Sequence, residues 1–206
     1  IWKLRGRRSP VDAVRSRNAR KIEIALQDQY TKLLENNTLD TLVIFDLEGV
    51  PLKAFQDPEQ TRLSETEIGE LGTTLRNFAF SKQPYRGFIQ KGDALSLSLV
   101  FPIYANATVL AYVYYGLDFS ELSAAFEADS RSVILISSVP AAMSENTRSK
   151  FKEDSIDRFR SSAVEPLNGR YYAVTPKEID AATAQPVRIV FAQDINETMV
   201  LGEQYL

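Results

Sequence analysis

The sequence contains no cysteine and no histidine, and these two absences exclude several kinds of active site together. Without cysteine there is no thiol nucleophile, and without histidine there is no Ser-His-Asp triad and no imidazole base. The usual zinc ligand sets are excluded for the same reason. A chain without cysteine also suits an oxidising compartment. We therefore expect a protein that is not an enzyme, with no catalytic residues, no metal site and no cofactor.

Long apolar runs are absent as well, since no stretch reaches the roughly 18 to 20 apolar residues that a membrane span requires. The 206 residues are 44% hydrophobic and 25% charged, which is typical of a globular protein with one large or two small domains. The chain begins at Ile1 and not at methionine. We expect it to be a fragment of a longer protein.

The charge is unevenly distributed along the chain. The net charge is -3, yet residues 1–22 contain eight lysines or arginines and one acid, Asp12. Such a basic arm could bind phosphate groups or lie beside a lipid surface. It lacks interleaved aromatic residues and any recognised nucleic-acid motif, so we expect no nucleic-acid partner.

The first third of the chain has a helical pattern followed by strands. From Pro10 to Leu34 apolar residues recur every three or four positions, which predicts one helix of more than twenty residues. The stretch LVIFDLEGVPLKAF then predicts a β-hairpin whose turn is Asp46 to Gly49. Ser64 and Glu67 have the spacing of a capping box and predict the start of another helix.

The pattern changes to strand alternation from Tyr85 onward. RGFIQKGDALSLSLVFPIY and TVLAYVYYGLDF predict three antiparallel strands, so this part has the strand and helix order of a PAS-like module. Alternation places Tyr112 and Tyr114 on one face of the last strand and Tyr115 on the other.

Two similar segments, YYGLDFSEL and VFAQDINET, each end a predicted strand on an Asp and place a Glu three residues later. The simplest interpretation is a helix cap at Asp118 and at Asp194. Aligning these two aspartates superimposes two similar orders of strands. We therefore predict an α+β fold with a long N-terminal helix (residues 1–40) and two tandem PAS-like modules with antiparallel sheets. The modules are residues 41–128 and a smaller second one, 129–206, which ends in an exit helix.

The long helix, the LVIFDLEGVPL hairpin, the FPIY strand and the YYGLDFSEL exit together resemble the Cache superfamily, and the tandem arrangement resembles a double-Cache domain. The resemblance implies a periplasmic sensory domain of a bacterial transmembrane receptor, anchored in the inner membrane. The receptor would be a chemoreceptor, a histidine kinase or a diguanylate cyclase. It also implies a homodimer formed through the N-terminal helix and a small-molecule ligand in the membrane-distal module, 41–128.

Similar amine-binding domains use the Asp of a G-x-D sequence, here Gly116-Leu117-Asp118, to hold an ammonium group, with an Arg and aromatic residues upstream for a carboxylate. The fuller amino-acid signature, an Arg followed by Trp-Tyr, is absent, so the expected ligand is a small carboxylate or amine. Arginine, aspartate and tyrosine side chains are the groups that such a pocket needs. The candidate ligand-binding residues are Tyr85, Arg86, Phe88, Tyr104, Tyr114 and Asp118.

One alternative to a ligand sensor is a ligand-free scaffold for dimerisation or protein interaction, which receives its signal from a periplasmic partner. A scaffold should fill the first module's cavity with apolar side chains, whereas a sensor should have a polar-lined void beside Arg86 and Asp118. An enzyme with paired carboxylates is a further alternative, although no spacing of acidic residues indicates one.

Overall fold

The computed structural model describes residues 10–58, 63–91, 94–130, 132–136, 143–151, 159, 161–167, 169–179 and 187–196. The described helices are α1 (Pro10–Arg15), α2 (Ala19–Glu35), α3 (Glu65–Phe78), α4 (Phe119–Asp129) and α5 (Glu145–Lys150). The described strands are β1 (Thr41–Phe45), β2 (Pro51–Gln56), β3 (Tyr85–Lys91), β4 (Ala94–Ala105), β5 (Thr108–Asp118), β6 (Ser132–Ile136), β7 (Ala163–Leu167), β8 (Arg170–Ile179) and β9 (Val187–Asp194). Among these helices, none has the length and apolar character that crossing a bilayer requires.

The α+β class with antiparallel sheets is confirmed, and the chain divides into two compact units. The first unit contains residues 1–87 and 97–117, and the second contains residues 88–96 and 118–206. The predicted modules, 41–128 and 129–206, have a boundary eleven residues later than residue 117 and stay a prediction.

The prediction of one long N-terminal helix is wrong, because the helix is interrupted between α1 and α2. Arg17 has a left-handed backbone with φ of 50°, which a continuous α-helix does not allow. Asn18 is extended, and its side chain accepts a hydrogen bond from the backbone N–H of Lys21 at 3.0 Å. Asn18 is thus a helix N-cap, and it starts a second helix where the apolar period alone suggests continuity.

The sheet of the first unit has the strand order β2-β1-β5-β4-β3. Helices α1 and α2 cover one side of it, which we call the α2 face. Ile22 and Leu26 of α2 are buried in a core with Leu42, Ile44 and Val113 of β1 and β5. Helix α2 therefore contributes an apolar stripe to this core, as its period predicts.

The predicted turn between β1 and β2 is organised by the buried carboxylate of Asp46. Its Oδ1 accepts hydrogen bonds from the backbone N–H groups of Glu48 at 3.0 Å and Val50 at 2.9 Å. Gly49 has φ of +87°, a conformation that glycine adopts at low cost. One carboxylate and one glycine thus fix the turn.

Helix α3 covers the other side of this sheet, which we call the α3 face. Its predicted capping box is confirmed, with Ser64 and Glu67 each bonding the other's backbone N–H. Gly72 brings the helix backbone against the carbonyl of Gly49 in the turn and against the ring of Phe45. The absence of a side chain at Gly72 is what permits this close approach.

The sheet of the second unit has the strand order β6-β9-β8-β7, which is the order of the first sheet without a strand equivalent to β2. Its core contains Leu135, Ile136 and Val190 together with Phe151 and Phe159. Strand β7 was not predicted from the sequence. It contains Pro166 and lies at the edge of the sheet, where a missing N–H donor is tolerated.

Candidate functional site

Aromatic rings cover the middle of the α3 face. Phe45 of β1 pairs with Tyr112 of β5 across the sheet, so the two side chains share this face. Phe80, just after α3, stacks on Tyr112 with 4.1 Å between ring centroids, and it lies 6.1 Å from Phe45. Burial, and to a lesser extent the nearby Tyr104, raises the pKa of Tyr112. The three rings form an apolar layer between the sheet and the segment after α3.

Tyr114 lies on the same face and is buried, as the alternation of β5 predicts. Its hydroxyl oxygen accepts a hydrogen bond from Ser98 Oγ of β4 at 3.3 Å. The tyrosine ring lies over Gly116, where a methyl group would come within 2.5 Å of the hydroxyl oxygen. The glycine of the G-x-D sequence thus makes room for the Tyr114 ring.

Tyr85 and Tyr104 lie at the margin of the α3 face. The ring of Tyr85 packs edge-on against Phe78 at the end of α3, with 5.1 Å between centroids. Tyr104 is 42% exposed, and its hydroxyl donates to the backbone carbonyl of Lys82 at 2.8 Å. Both tyrosines therefore contact α3 or the segment that follows it.

The six predicted ligand-binding side chains do not all share one face. Arg86 follows Tyr85 in β3, so the pleat directs the two side chains to opposite sides of the sheet. Arg86 is exposed. Phe88, which shares its side with Arg86, packs edge-on against Phe119 at 5.5 Å and contributes to the core of the second unit. The family resemblance groups Tyr85, Arg86 and Phe88 as one upstream set, whereas the pleat separates Tyr85 from the other two.

Asp118 is the N-cap of α4, as the sequence predicts. Its Oδ1 accepts hydrogen bonds from the backbone N–H and the hydroxyl of Ser120, each at 2.7 Å. Asp194 binds the backbone N–H of Asn196 in the same way, at 3.0 Å. That hydrogen bond is the main cause that lowers the pKa of Asp194. Glu197, the predicted partner in the second capping box, lies outside the described residues.

Several contributors to the α3 face were not predicted from the sequence. Phe80 follows the end of a helix, a position where periodicity carries no information. Ser98 is buried while its neighbour Leu97 is 41% exposed, the reverse of what side-chain polarity favours. Two further signals were available in the sequence, namely the NFAF run across the end of α3 and the tyrosine cluster of β5.

Tyr115, on the α2 face, provides a test at high pH. Burial raises its pKa to about 12 in the folded protein, whereas an exposed tyrosine titrates near 10. The stabilisation is fully present below pH 10 and is lost as the pH rises from about 10 through 12, because the unfolded chain ionises first. We expect the melting temperature of Tyr115→Phe to fall less steeply over this range than that of the wild type.

Melting curves at pH 9, 10 and 11 would measure this difference. The control is Tyr171→Phe, which removes an exposed hydroxyl and should keep the wild-type slope. Equal slopes for Tyr115→Phe and the wild type would contradict the assignment.

No protein-family model and no curated protein sequence matches this chain. Solved structures do match it. One is described as the extracellular domain of a histidine kinase, vpHK1S-Z8; it is 11% identical, with a TM-score of 0.54, covering 90% of this chain and 80% of that one. The LuxQ periplasmic domain of Vibrio cholerae is 14% identical, with a TM-score of 0.53 and coverages of 89% and 83%.

The ligand-binding domain of the Campylobacter jejuni chemoreceptor Tlp3, solved with L-norvaline, is 6% identical to this chain. Its TM-score is 0.53, and the match covers 90% of this chain and 81% of that domain. At such low identities the likeness concerns the fold. The chain therefore shares its fold with these three domains.

Proposed function

We propose that this chain is the ligand-sensing domain of a bacterial transmembrane receptor and lies on the periplasmic side of the inner membrane. One observation carries the proposal, namely a fold shared with receptor sensor domains over about nine-tenths of the chain. The first unit would bind the ligand and the second would pass the signal towards the membrane. In this role the domain is not an enzyme, and its output is a change of conformation.

The proposed ligand is a small carboxylate or amine, bound at the α3 face of the first unit. The Tlp3 domain, solved with an amino acid, supports this class, because L-norvaline has both a carboxylate and an ammonium group. Tyr85, Tyr104 and Tyr114 supply rings with polar tips on the α3 face. Asp118 remains the proposed charged partner of the ligand, whereas Arg86 and Phe88, which the pleat directs to the other side of β3, are not assigned a contact with it.

A thermal-shift screen of amino acids, amines, small carboxylates, purines and sugars tests this proposal. A ligand at a hundred times its Kd stabilises the folded state by about 2.7 kcal/mol, a rise of several degrees for a chain of this length. A ligand whose effect is lost in Tyr114→Phe and Asp118→Ala, but kept in Tyr171→Phe, would support the proposal. A panel without any stabilising compound would contradict it.

The scaffold is the second candidate function, and the ring layer of the α3 face favours it. Phe45, Phe80 and Tyr112 fill the centre of that face with apolar surface, as expected of a module without a ligand. The same screen separates the two functions. A sensor should give at least one ligand that acts through Tyr114, whereas a scaffold should give none.

Signal transfer would proceed through a homodimer formed by the N-terminal helices. Ile24 supports this arrangement, because it is 65% exposed on α2. Since the chain has no cysteine, a single spin label can be attached at Arg20→Cys without background labelling. The distance between the two labels should change when ligand is added. An unchanged distance at saturating ligand would contradict this mechanism.

A further inference from the structure

A cavity of about 300 Å³ lies in the first unit between helices α1 and α2 and the α2 face of the sheet. Its walls include Val11 and Val14 of α1, Leu26 of α2, and Phe101, Val113 and Tyr115 of the sheet. Val14 and Val113 are buried, and the rings of Phe101 and Tyr115 meet edge-to-face at 5.2 Å. The cavity thus has fixed apolar walls, and it lies on the opposite side of the sheet from the α3 face.

The polar groups at this cavity are few and uncharged. Gln29 of α2 contributes an amide, and Tyr104 borders the cavity with its hydroxyl bonded to the carbonyl of Lys82. Tyr115 contributes a phenol whose hydroxyl forms no hydrogen bond with any described residue. Among the described residues that line the cavity, none is acidic or basic. An ordinary phenol is already a neutral donor at physiological pH, and burial raises the pKa of this one further, to about 12. The chemistry available to a bound molecule is one or two neutral hydrogen bonds within an apolar enclosure.

We infer that this cavity is a second binding site, which takes a small, uncharged and mainly apolar molecule with one hydrogen-bonding group, such as a simple phenol. The transfer of an apolar molecule from water to a cavity with apolar walls has a favourable free energy. The neutral amide and phenol can satisfy one polar group, as in typical small-molecule pockets. A charged molecule is disfavoured, because its desolvation would not be offset by an opposite charge.

The volume excludes larger occupants. A single turn of α-helix, about 10 Å across and 5.4 Å long, needs about 400 Å³. The cavity, at about 300 Å³, is smaller than that. A monocyclic aromatic molecule of about ten non-hydrogen atoms is within the range that pockets of this size enclose. The cavity therefore cannot enclose a full turn of helix, and a small molecule is the occupant that its volume favours.

A molecule bound in the cavity would contact α1 and α2, the helices that are proposed to transmit the signal. Val11 and Leu26 belong to the two N-terminal helices, while Phe101 and Tyr115 belong to the sheet, so a bound molecule contacts both layers. Any change in the packing of α1 or α2 on the sheet would change affinity, and binding would in turn favour one packing arrangement. Of the proposed α3-face residues, Tyr104 also borders this cavity. Val11 and Tyr115 belong to the cavity and not to the α3 face, so variants at these two positions test it independently of the α3-face ligand.

Isothermal titration calorimetry of the whole chain with 4-methylphenol, benzoate and benzylamine tests this inference. These probes are similar in size and are neutral, negative and positive at pH 7. We expect 4-methylphenol to bind at least about tenfold more tightly than either charged probe. Tyr115→Phe keeps the ring but removes the hydroxyl, so it should weaken 4-methylphenol by about fivefold, the value of one neutral hydrogen bond.

Matched tryptophan variants locate the site. Val11→Trp places a large ring at a half-buried cavity wall and should abolish binding, whereas Ile24→Trp, on the exposed side of α2, should leave it unchanged. Circular dichroism establishes that each variant is folded, and Tyr115→Phe, which adds no atoms, remains informative if Val11→Trp does not fold. Absence of 4-methylphenol binding, equal binding of charged probes, or binding that persists in folded Val11→Trp would each overturn the inference.

Discussion

Gly72→Ala is expected to destabilise the first unit by about 3 kcal/mol or more, at the upper end of the cost of overpacking. The added methyl group would overlap the carbonyl oxygen of Gly49 and lie 2.6 Å from Cε1 of Phe45. Neither neighbour can easily move, because Gly49 belongs to the turn fixed by Asp46 and Phe45 belongs to a buried strand. The helix would have to move away from the sheet to relieve the overlap.

Gly69→Ala is the matched control, because it makes the same chemical change three residues earlier in α3. A methyl group there meets no atom within 4 Å, so only helix propensity changes, and we expect stabilisation of up to about 1 kcal/mol. Urea unfolding followed by circular dichroism would measure both variants. Shifts in opposite directions are the expected result. Two shifts of the same sign and size would show that the Gly72–Gly49 contact does not limit the helix position.

Glu127→Ala is expected to destabilise the second unit by about 2 to 4 kcal/mol. The carboxylate of Glu127, near the end of α4, accepts hydrogen bonds from the hydroxyls of Ser144 and Thr147, the latter at 2.6 Å. Both hydroxyl-bearing residues are buried at the start of α5. Truncation would leave these donors without their acceptor in a place that water reaches poorly, which costs more than the loss of an exposed hydrogen bond.

Glu127→Gln separates the hydrogen bonds from the rest of the side chain. The amide keeps the length and one acceptor oxygen, and its NH₂ group can donate to a hydroxyl, so the loss should be about 1 kcal/mol. Hydrogen exchange of the α5 amides would measure the effect locally. We expect these amides to exchange far faster in Glu127→Ala than in Glu127→Gln. Equal protection in the wild type and both variants would refute a structural role for this carboxylate.

The sequence predicts those parts of the fold that depend on local patterns. Ser64 and Glu67 locate the start of α3 because a capping box is a local arrangement of hydrogen bonds. Strand alternation separates Tyr112 and Tyr114 from Tyr115 because the pleat has a fixed period. The break at Arg17 escapes prediction, since the apolar period continues on both sides of it and a left-handed arginine has no clear sequence signature.

The candidate site is harder to predict, because its geometry arises from tertiary contacts. Arg86 and Tyr85 are neighbours in sequence, yet the pleat directs them to opposite sides of the sheet. Phe80 reaches Tyr112 only because α3 ends above β5, and no local pattern contains that information. The apolar cavity beside Tyr115 likewise requires α1, α2 and the sheet to be placed together, and residue periodicity indicates only that these elements are apolar on one side.

The contact between Tyr114 and Gly116 constrains the order in which this strand can change during evolution. A side chain at position 116 has no room while the tyrosine ring lies over it, as a methyl group would lie 2.8 Å from Cε1 of Tyr114. Tyr114 would first have to be replaced by a smaller residue, and that replacement would remove packing from the buried core. An evolutionary path that replaces residue 114 before residue 116 is therefore possible. A path that replaces residue 116 first passes through a variant with a steric clash. A methyl group at Gly87 would likewise lie 2.5 Å from the hydroxyl oxygen of Tyr85. The same order of substitutions is therefore expected in β3 as in β5.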